Sequence, residues 1–165
     1  MRITNLDLFY RYALPCGELG VELGVLDGEK VRKAREAFLG GNSIVDPRGV
    51  FPVAVRLLEL TAKKIDKRAI NSEVLRKYFW DFHDEHVREK ALLIKGFPVE
   101  ECMVWPGRMV SEENALTPLG ERKIKKLLLP NLNQGEFITV HHGYACERIS
   151  EDSFKELWGQ ERGLE

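Results

Sequence analysis

The sequence predicts an α+β chain: a helical N-terminal half, residues 1–97, packed against a small, partly open antiparallel β-barrel with a short C-terminal helix, residues 98–165. Three observations lead there. Apolar residues recur at helical spacing as far as about residue 95. The texture then changes at Lys95-Gly96-Phe97-Pro98. Beyond it, short alternating runs are separated by turn residues. The junction Gly96-Phe97-Pro98 is too brief to act as a flexible linker, so the two halves are expected to pack as one body.

The first element runs from Leu6, with Phe9, Tyr10, Ala13 and Leu14 on one stripe, and Pro15 and Gly17 are expected to end it. Asp27 can cap a second helix that reaches about Phe38 and stops at Gly40-Gly41. Asp46-Pro47-Arg48-Gly49 reads as a turn. A third helix, roughly Pro52 to Lys67, carries Val55, Leu58, Ala62 and Ile65 on one face. A fourth begins at Ser72 and continues to about Lys90, with Leu75, Phe79, Phe82 and His86 on its buried side. Helices joined by short polar connections form a compact bundle.

After Pro98, Cys102 to Val110 reads as a strand interrupted by Pro106-Gly107, and Lys123 to Leu129 as a second. Gln134-Gly135 signals a turn, and Phe137 to His142 alternates. Gly143 interrupts, and the strand resumes to about Ile149. Ser150 then caps a short helix with Phe154, Leu157 and Trp158 on one face. The run Glu121 to Lys126 is read as an edge strand kept soluble by its lysines. No extra hairpin is evident between Val110 and Gly135.

The composition is that of an ordinary globular chain large enough to bury a core. No run approaches the roughly 18 apolar residues of a membrane span, and the N-terminus lacks the pattern of a signal peptide, so a cytoplasmic location is expected. Three cysteines, Cys16, Cys102 and Cys146, with no Cys-x-x-Cys, are free thiols, metal ligands or small buried side chains rather than a disulfide framework. Residues 96–165 are net acidic, which argues against a nucleic-acid partner.

No phosphate-binding glycine loop, Ser-His-Asp set or carboxylate pair is present in the pattern, so the chain is read as a binding protein rather than an enzyme. His83 and His86, with Glu89 extending the stripe, offer a half-site for a divalent metal through nitrogen and oxygen. They lack the i, i+4 spacing of a zinc-protease helix, and the plain alternative is a solvated polar face. Cys16, in Leu14-Pro15-Cys16-Gly17, reads as a structural thiol in a helix-ending turn that could approach the barrel.

Cys102-Met103-Val104-Trp105-Pro106-Gly107-Arg108-Met109-Val110 resembles the opening strand of the HypC/HupF hydrogenase-formation chaperones, in which Cys, three mostly apolar residues, Pro-Gly, a basic residue and an apolar one follow in order. Gly135-Glu136-Phe137-Ile138-Thr139-Val140-His141-His142-Gly143-Tyr144-Ala145 is similar to that family's Gly-Asp-aromatic-Val-x-Val-His-x-Gly-aromatic-Ala. Lys126 to Pro130 is placed like its middle strand. The resemblance covers about residues 101–158. It implies an OB-like barrel that works with a HypD-like scaffold protein or the large subunit of a [NiFe] hydrogenase. It also implies transient handling of iron bearing cyanide and carbon monoxide ligands, with no tightly bound cofactor. Carried onto this chain, the partner- or iron-binding residues are Cys102, His141, Pro106 and Gly107, with Cys102 and His141 as metal ligands. A cysteine in that task acts as its thiolate, so a lowered pKa is expected for Cys102. One departure is that Cys102 is internal, whereas the family's Cys follows the initiator Met. The alternative is an interaction or regulatory module that keeps the barrel without iron. The N-terminal Arg11-Tyr12-Ala13-Leu14-Pro15 and the later Val140-His141-His142-Gly143-Tyr144-Ala145-Cys146 are also similar to an uncharacterised family, which brings no activity.

Neighbouring strand residues point to opposite faces, so Phe137, Thr139 and His141 share one side and Ile138, Val140 and His142 the other. With Ile138 and Val140 as core residues, His141 is expected to face outward near Cys102, and His142 inward or at the barrel's edge.

Overall fold

A computed structural model describes residues 1–42 and 45–160. The chain is α+β, with the helices first and a five-stranded antiparallel sheet after them. Helix α1 spans Leu6–Glu22, and the Asn5 side chain caps it by accepting from the Leu8 N–H. It does not end at Pro15 and Gly17, as the sequence suggested, but runs through both. Proline removes one backbone donor from a helix and crowds the carbonyl four residues back. Here burial of Leu14, Pro15, Gly17 and Gly20 against the rest of the fold outweighs that cost. Cys16 therefore stands on a helix, not in a turn.

Helix α2 (Gly28–Leu39) is capped by Asp27, which accepts from the Glu29 and Lys30 N–H groups. The expected turn at Asp46 to Gly49 is the start of a one-turn helix, α3 (Pro47–Val50), and α4 follows (Pro52–Lys64). The fourth predicted helix is there from Ser72 to Leu93, with the Asn71 side chain capping it by accepting from the Val74 N–H. It is not uniform: α5 (Ser72–Lys77) passes into α6 (His83–Leu93) through a π turn at Tyr78–Phe82. That wide turn holds one residue more than an α turn, so everything after it is shifted by one position. Leu75 and Phe79 face the core, but the next buried residues are His83, Asp84 and Val87, not the Phe82 and His86 that a 3.6-residue period selects.

Cys102 closes another one-turn helix, α7 (Val99–Cys102), and the strand begins two residues later. The sheet comprises β1 (Val104–Met109), β2 (Asn114–Thr117), β3 (Gly120–Lys123), β4 (Phe137–His141) and β5 (Tyr144–Arg148), in the order β3-β2-β1-β4-β5. A hairpin is thus present where none was expected, turned by Pro118-Leu119 with Gly120 at φ +97°. β3 is the predicted lysine-rich edge strand, displaced toward the N-terminus and exposed at all four positions. Lys123 to Leu129 is not a strand. After β3 the chain crosses the sheet's end and meets β5 at a single parallel bridge, Lys125 to Tyr144, so the sheet is open rather than a closed barrel. His142-Gly143 forms the β4–β5 turn with both φ values positive, the two-residue geometry that suits strand twist. Helix α8 (Glu151–Trp158) is capped by Ser150, as predicted.

Met109, Ala115, Ile124, Leu129, Leu132, Ile138, Val140 and Ala145 form a cluster on one side of the sheet. On the other side Val104, Leu128, Tyr144 and Cys146 merge with the apolar core of α1 to α5. A polar link crosses the same boundary. The buried Tyr12 hydroxyl meets Thr139 Oγ1 at 2.8 Å, donates to Glu147 Oε2 at 3.0 Å and accepts from Trp80 Nε1 at 2.9 Å. Arg76 Nε donates to the other Glu147 oxygen at 2.8 Å.

Candidate functional site

The partition of β4 into faces is as the pattern indicated, but its polar side does not meet solvent. Helix α1 lies across it. Thr139 reaches Tyr12, and His141 is fully buried between the helices and the sheet, not outward-facing. The periodicity identified the two faces; it carried no information about which element would cover the second one. His142 sits in the β-turn at φ +51°, with its N–H donating to the Glu101 carbonyl at 2.9 Å.

Two helices converge on His141. Its Nδ1 lies 3.0 Å from the Tyr12 carbonyl oxygen of α1. A carbonyl can only accept, so Nδ1 carries the proton and Nε2 keeps its lone pair. That lone pair faces Cys16 Sγ at 3.1 Å, one helical turn further along α1. From α6, His83 Nε2 approaches the same sulfur at 3.8 Å, and the two imidazole rings stand edge to face with centroids 5.0 Å apart. His83 is buried through the register shift of the π turn. Its Nδ1 has no hydrogen-bond partner and lies 3.8 Å from Asp84 Oδ1. The donor atoms of Cys16, His83 and His141 all fall within 4.8 Å of one another.

Electrostatics keep His141 and Cys16 neutral. Burial lowers the pKa of His141 well below the usual histidine value, and neighbouring His83 and His142 lower it further. The carbonyls of Tyr12 and Cys102 act the other way. Burial pushes the Cys16 thiol up to about 12, reinforced by the Cys102 thiol and opposed by Lys90. A thiol beside a neutral imidazole is not the thiolate–imidazolium pair of a cysteine nucleophile. The same donor set could hold a metal ion, because a metal displaces the thiol proton itself.

The other candidates are placed as follows. Cys102 is buried with Val87, Met103 and Trp105. Its thiol is not lowered as expected but pushed up to about 12 by burial, opposed by Lys90 and, less strongly, reinforced by Glu101. Its backbone passes near His141: Val104, two residues on, pairs with His141, and the Cys102 carbonyl acts on the His141 ring. Pro106 and Gly107 are buried inside β1 rather than displayed to a partner. β2 pairs with β1 only at Arg108 and Met109, so Pro106 occupies the stretch with a single neighbour, where a missing N–H is tolerated. A side chain on Gly107 would come within 3.1 Å of Val140 Cγ2 and 3.4 Å of Ala115 Cβ. The histidines of the proposed half-site separate: His83 turns inward, while His86 is only half-buried and meets Glu89 at 3.2 Å. Cys146 is wholly buried in the shared core. Cys16 is the residue that local sequence undervalued, because Pro15-Cys16-Gly17 looked like the end of a helix.

Two shallow surface depressions, one bordered by Asp46 and Arg48 and one by Arg76 and Trp80, contain none of these residues. Among the described residues no helix is long and apolar enough to cross a membrane. Compared with protein-family models, curated proteins and solved structures, the chain matches none.

Proposed function

We propose that this chain is a non-catalytic accessory protein of the hydrogenase-formation chaperone kind, acting in the cytoplasm on a protein partner. The partner class that the motifs suggest is a HypD-like scaffold or the large subunit of a [NiFe] hydrogenase. The cargo is iron bearing cyanide and carbon monoxide. The observation that carries this reading is the backbone proximity of the two motif residues: Val104, two residues after Cys102, pairs with His141, and the Cys102 carbonyl acts on the His141 ring. Cys102 ends a one-turn helix, an element with little stability of its own, so local opening of α7 is the way its thiol would reach a partner.

The burial of both residues favours a second reading, an interaction module that keeps the sheet without iron cargo. Production of the full chain beside the hydrogenase maturation proteins separates the two. Under the first reading the chain is recovered with its partner and shows the infrared bands of iron-bound cyanide and carbon monoxide, which Cys102→Ala removes. Capture of a partner without those bands supports the second. Recovery of neither refutes the accessory role with these proteins.

A further inference from the structure

We propose that Cys16, His83 and His141 bind a divalent first-row transition ion, ferrous iron or zinc, and that the ion joins helices to sheet. This goes beyond the partner reading and does not use it: two of the three residues lie outside the chaperone-like segment, and the sulfur comes from Cys16 rather than Cys102.

The distances fit. Bonds of about 2.3 Å to sulfur and about 2.0 Å to nitrogen in a tetrahedral site put sulfur roughly 3.6 Å from each nitrogen. The structure has 3.1 and 3.8 Å, each within about 0.5 Å of that value, and all three donor atoms lie within 4.8 Å of one another.

Hydrogen bonding alone leaves the cluster unsatisfied. The Cys16 thiol has one proton and can donate to His141 Nε2 or to His83 Nε2, not to both. His83 is buried, and its other nitrogen has no hydrogen-bond partner. That nitrogen is Nδ1, which faces Asp84 Oδ1 at 3.8 Å, and an ion on Nε2 would keep the ring proton on that side. An ion on both Nε2 atoms and the sulfur occupies all three lone pairs at once. His141 is held for that role by the Tyr12 carbonyl on Nδ1, the outer-shell contact that orients metal-binding histidines.

Two imidazoles and one thiolate select borderline and soft ions over magnesium or calcium. On binding, the Cys16 S–H bond breaks, a sulfur–metal bond forms and one proton leaves to solvent. The ion keeps its oxidation state. Three protein donors leave a position for a small exogenous ligand.

The test uses the full chain freed of metal and titrated anaerobically with cobalt(II) as a spectroscopic stand-in. One equivalent should produce the intense visible bands of a tetrahedral site and a near-ultraviolet thiolate charge-transfer band. Cys16→Ser should abolish the charge-transfer band, and His83→Ala should weaken binding by roughly tenfold or more. Cys102→Ala and His86→Ala should change neither. Zinc should raise the melting temperature of the parent but not of Cys16→Ser, a comparison that holds even if the variant is less stable. Metal analysis of the protein as purified, without added metal, distinguishes iron from zinc. Absence of a tetrahedral cobalt spectrum overturns the proposal, as does a charge-transfer band that survives Cys16→Ser or disappears in Cys102→Ala.

Discussion

Replacing Tyr12 by Phe removes one oxygen and isolates the polar link between the two halves. That oxygen donates to Glu147 and accepts from Trp80 and Thr139, so all its hydrogen-bonding capacity is in use. The substitution keeps the ring stacked on Phe79, with centroids 4.6 Å apart, so packing is preserved. What is lost is satisfaction of three groups, two of them in residues that are almost fully buried, Thr139 and Glu147. A buried group left unpaired costs about 1–3 kcal/mol. Trp80 is half-buried and recovers part of its loss from water, and Glu147 retains Arg76. The expected total is about 2–4 kcal/mol, lowering Tm by roughly 5–15 °C for a chain of this size. Urea unfolding of parent and variant at equal slope measures it. The Tyr12 carbonyl is untouched, so cobalt binding at 25 °C should be unchanged. A loss below about 0.5 kcal/mol would show that the network adds little to stability, and the account of the interface would fail.

Three further outcomes are expected. Because His141 has a folded-state pKa below its unfolded value of about 6.5, the metal-free protein should lose stability as pH falls from 7 to 5, with a slope reaching about 1.4 kcal/mol per pH unit from this residue. The unfolded chain takes up a proton there that the folded one refuses. His141→Asn should flatten the slope in denaturant titrations, and an unchanged slope would contradict the assignment. Glu18, held below its usual value by Tyr144 and Arg35 against the opposing effect of burial, acts in the same direction but only below about pH 4.5. Gly107→Ala should destabilise by about 1–3 kcal/mol in thermal or urea unfolding, through overpacking against Val140 and Ala115. A neutral result would mean that β1 can shift away from β4. Cys146→Ala should cost about 1–2 kcal/mol with no effect on cobalt binding, since its sulfur is fully enclosed and absent from the cluster.

Periodicity located the helices, the change at residues 95–98 and the two faces of β4, because these are set by which side chains are apolar at a fixed repeat. It failed where a tertiary contact overrides a local rule. Pro15 and Gly17 have the chemistry of a helix end, yet burial on both sides carries α1 past them. The 114–123 hairpin was hidden because Glu121, Arg122 and Lys123 alternate with nothing apolar on an exposed edge. The candidate site suffered most. His83 and His141 were both noticed, but for separate reasons, and Cys16 was assigned to a turn. Nothing local in the sequence signals that residues 16, 83 and 141 meet.

The π turn at Tyr78–Phe82 has a bearing on how such a site can arise. Straightened to an ordinary α-helix by deletion of one residue, the segment would present His83 about 100° away from the sulfur. Read in the opposite direction, a one-residue insertion absorbed as a wide turn rotates an existing surface histidine into the interior while Leu75 and Phe79 keep their seats. An ancestral helix would then need no coordinated set of substitutions to acquire this donor, only a change of length.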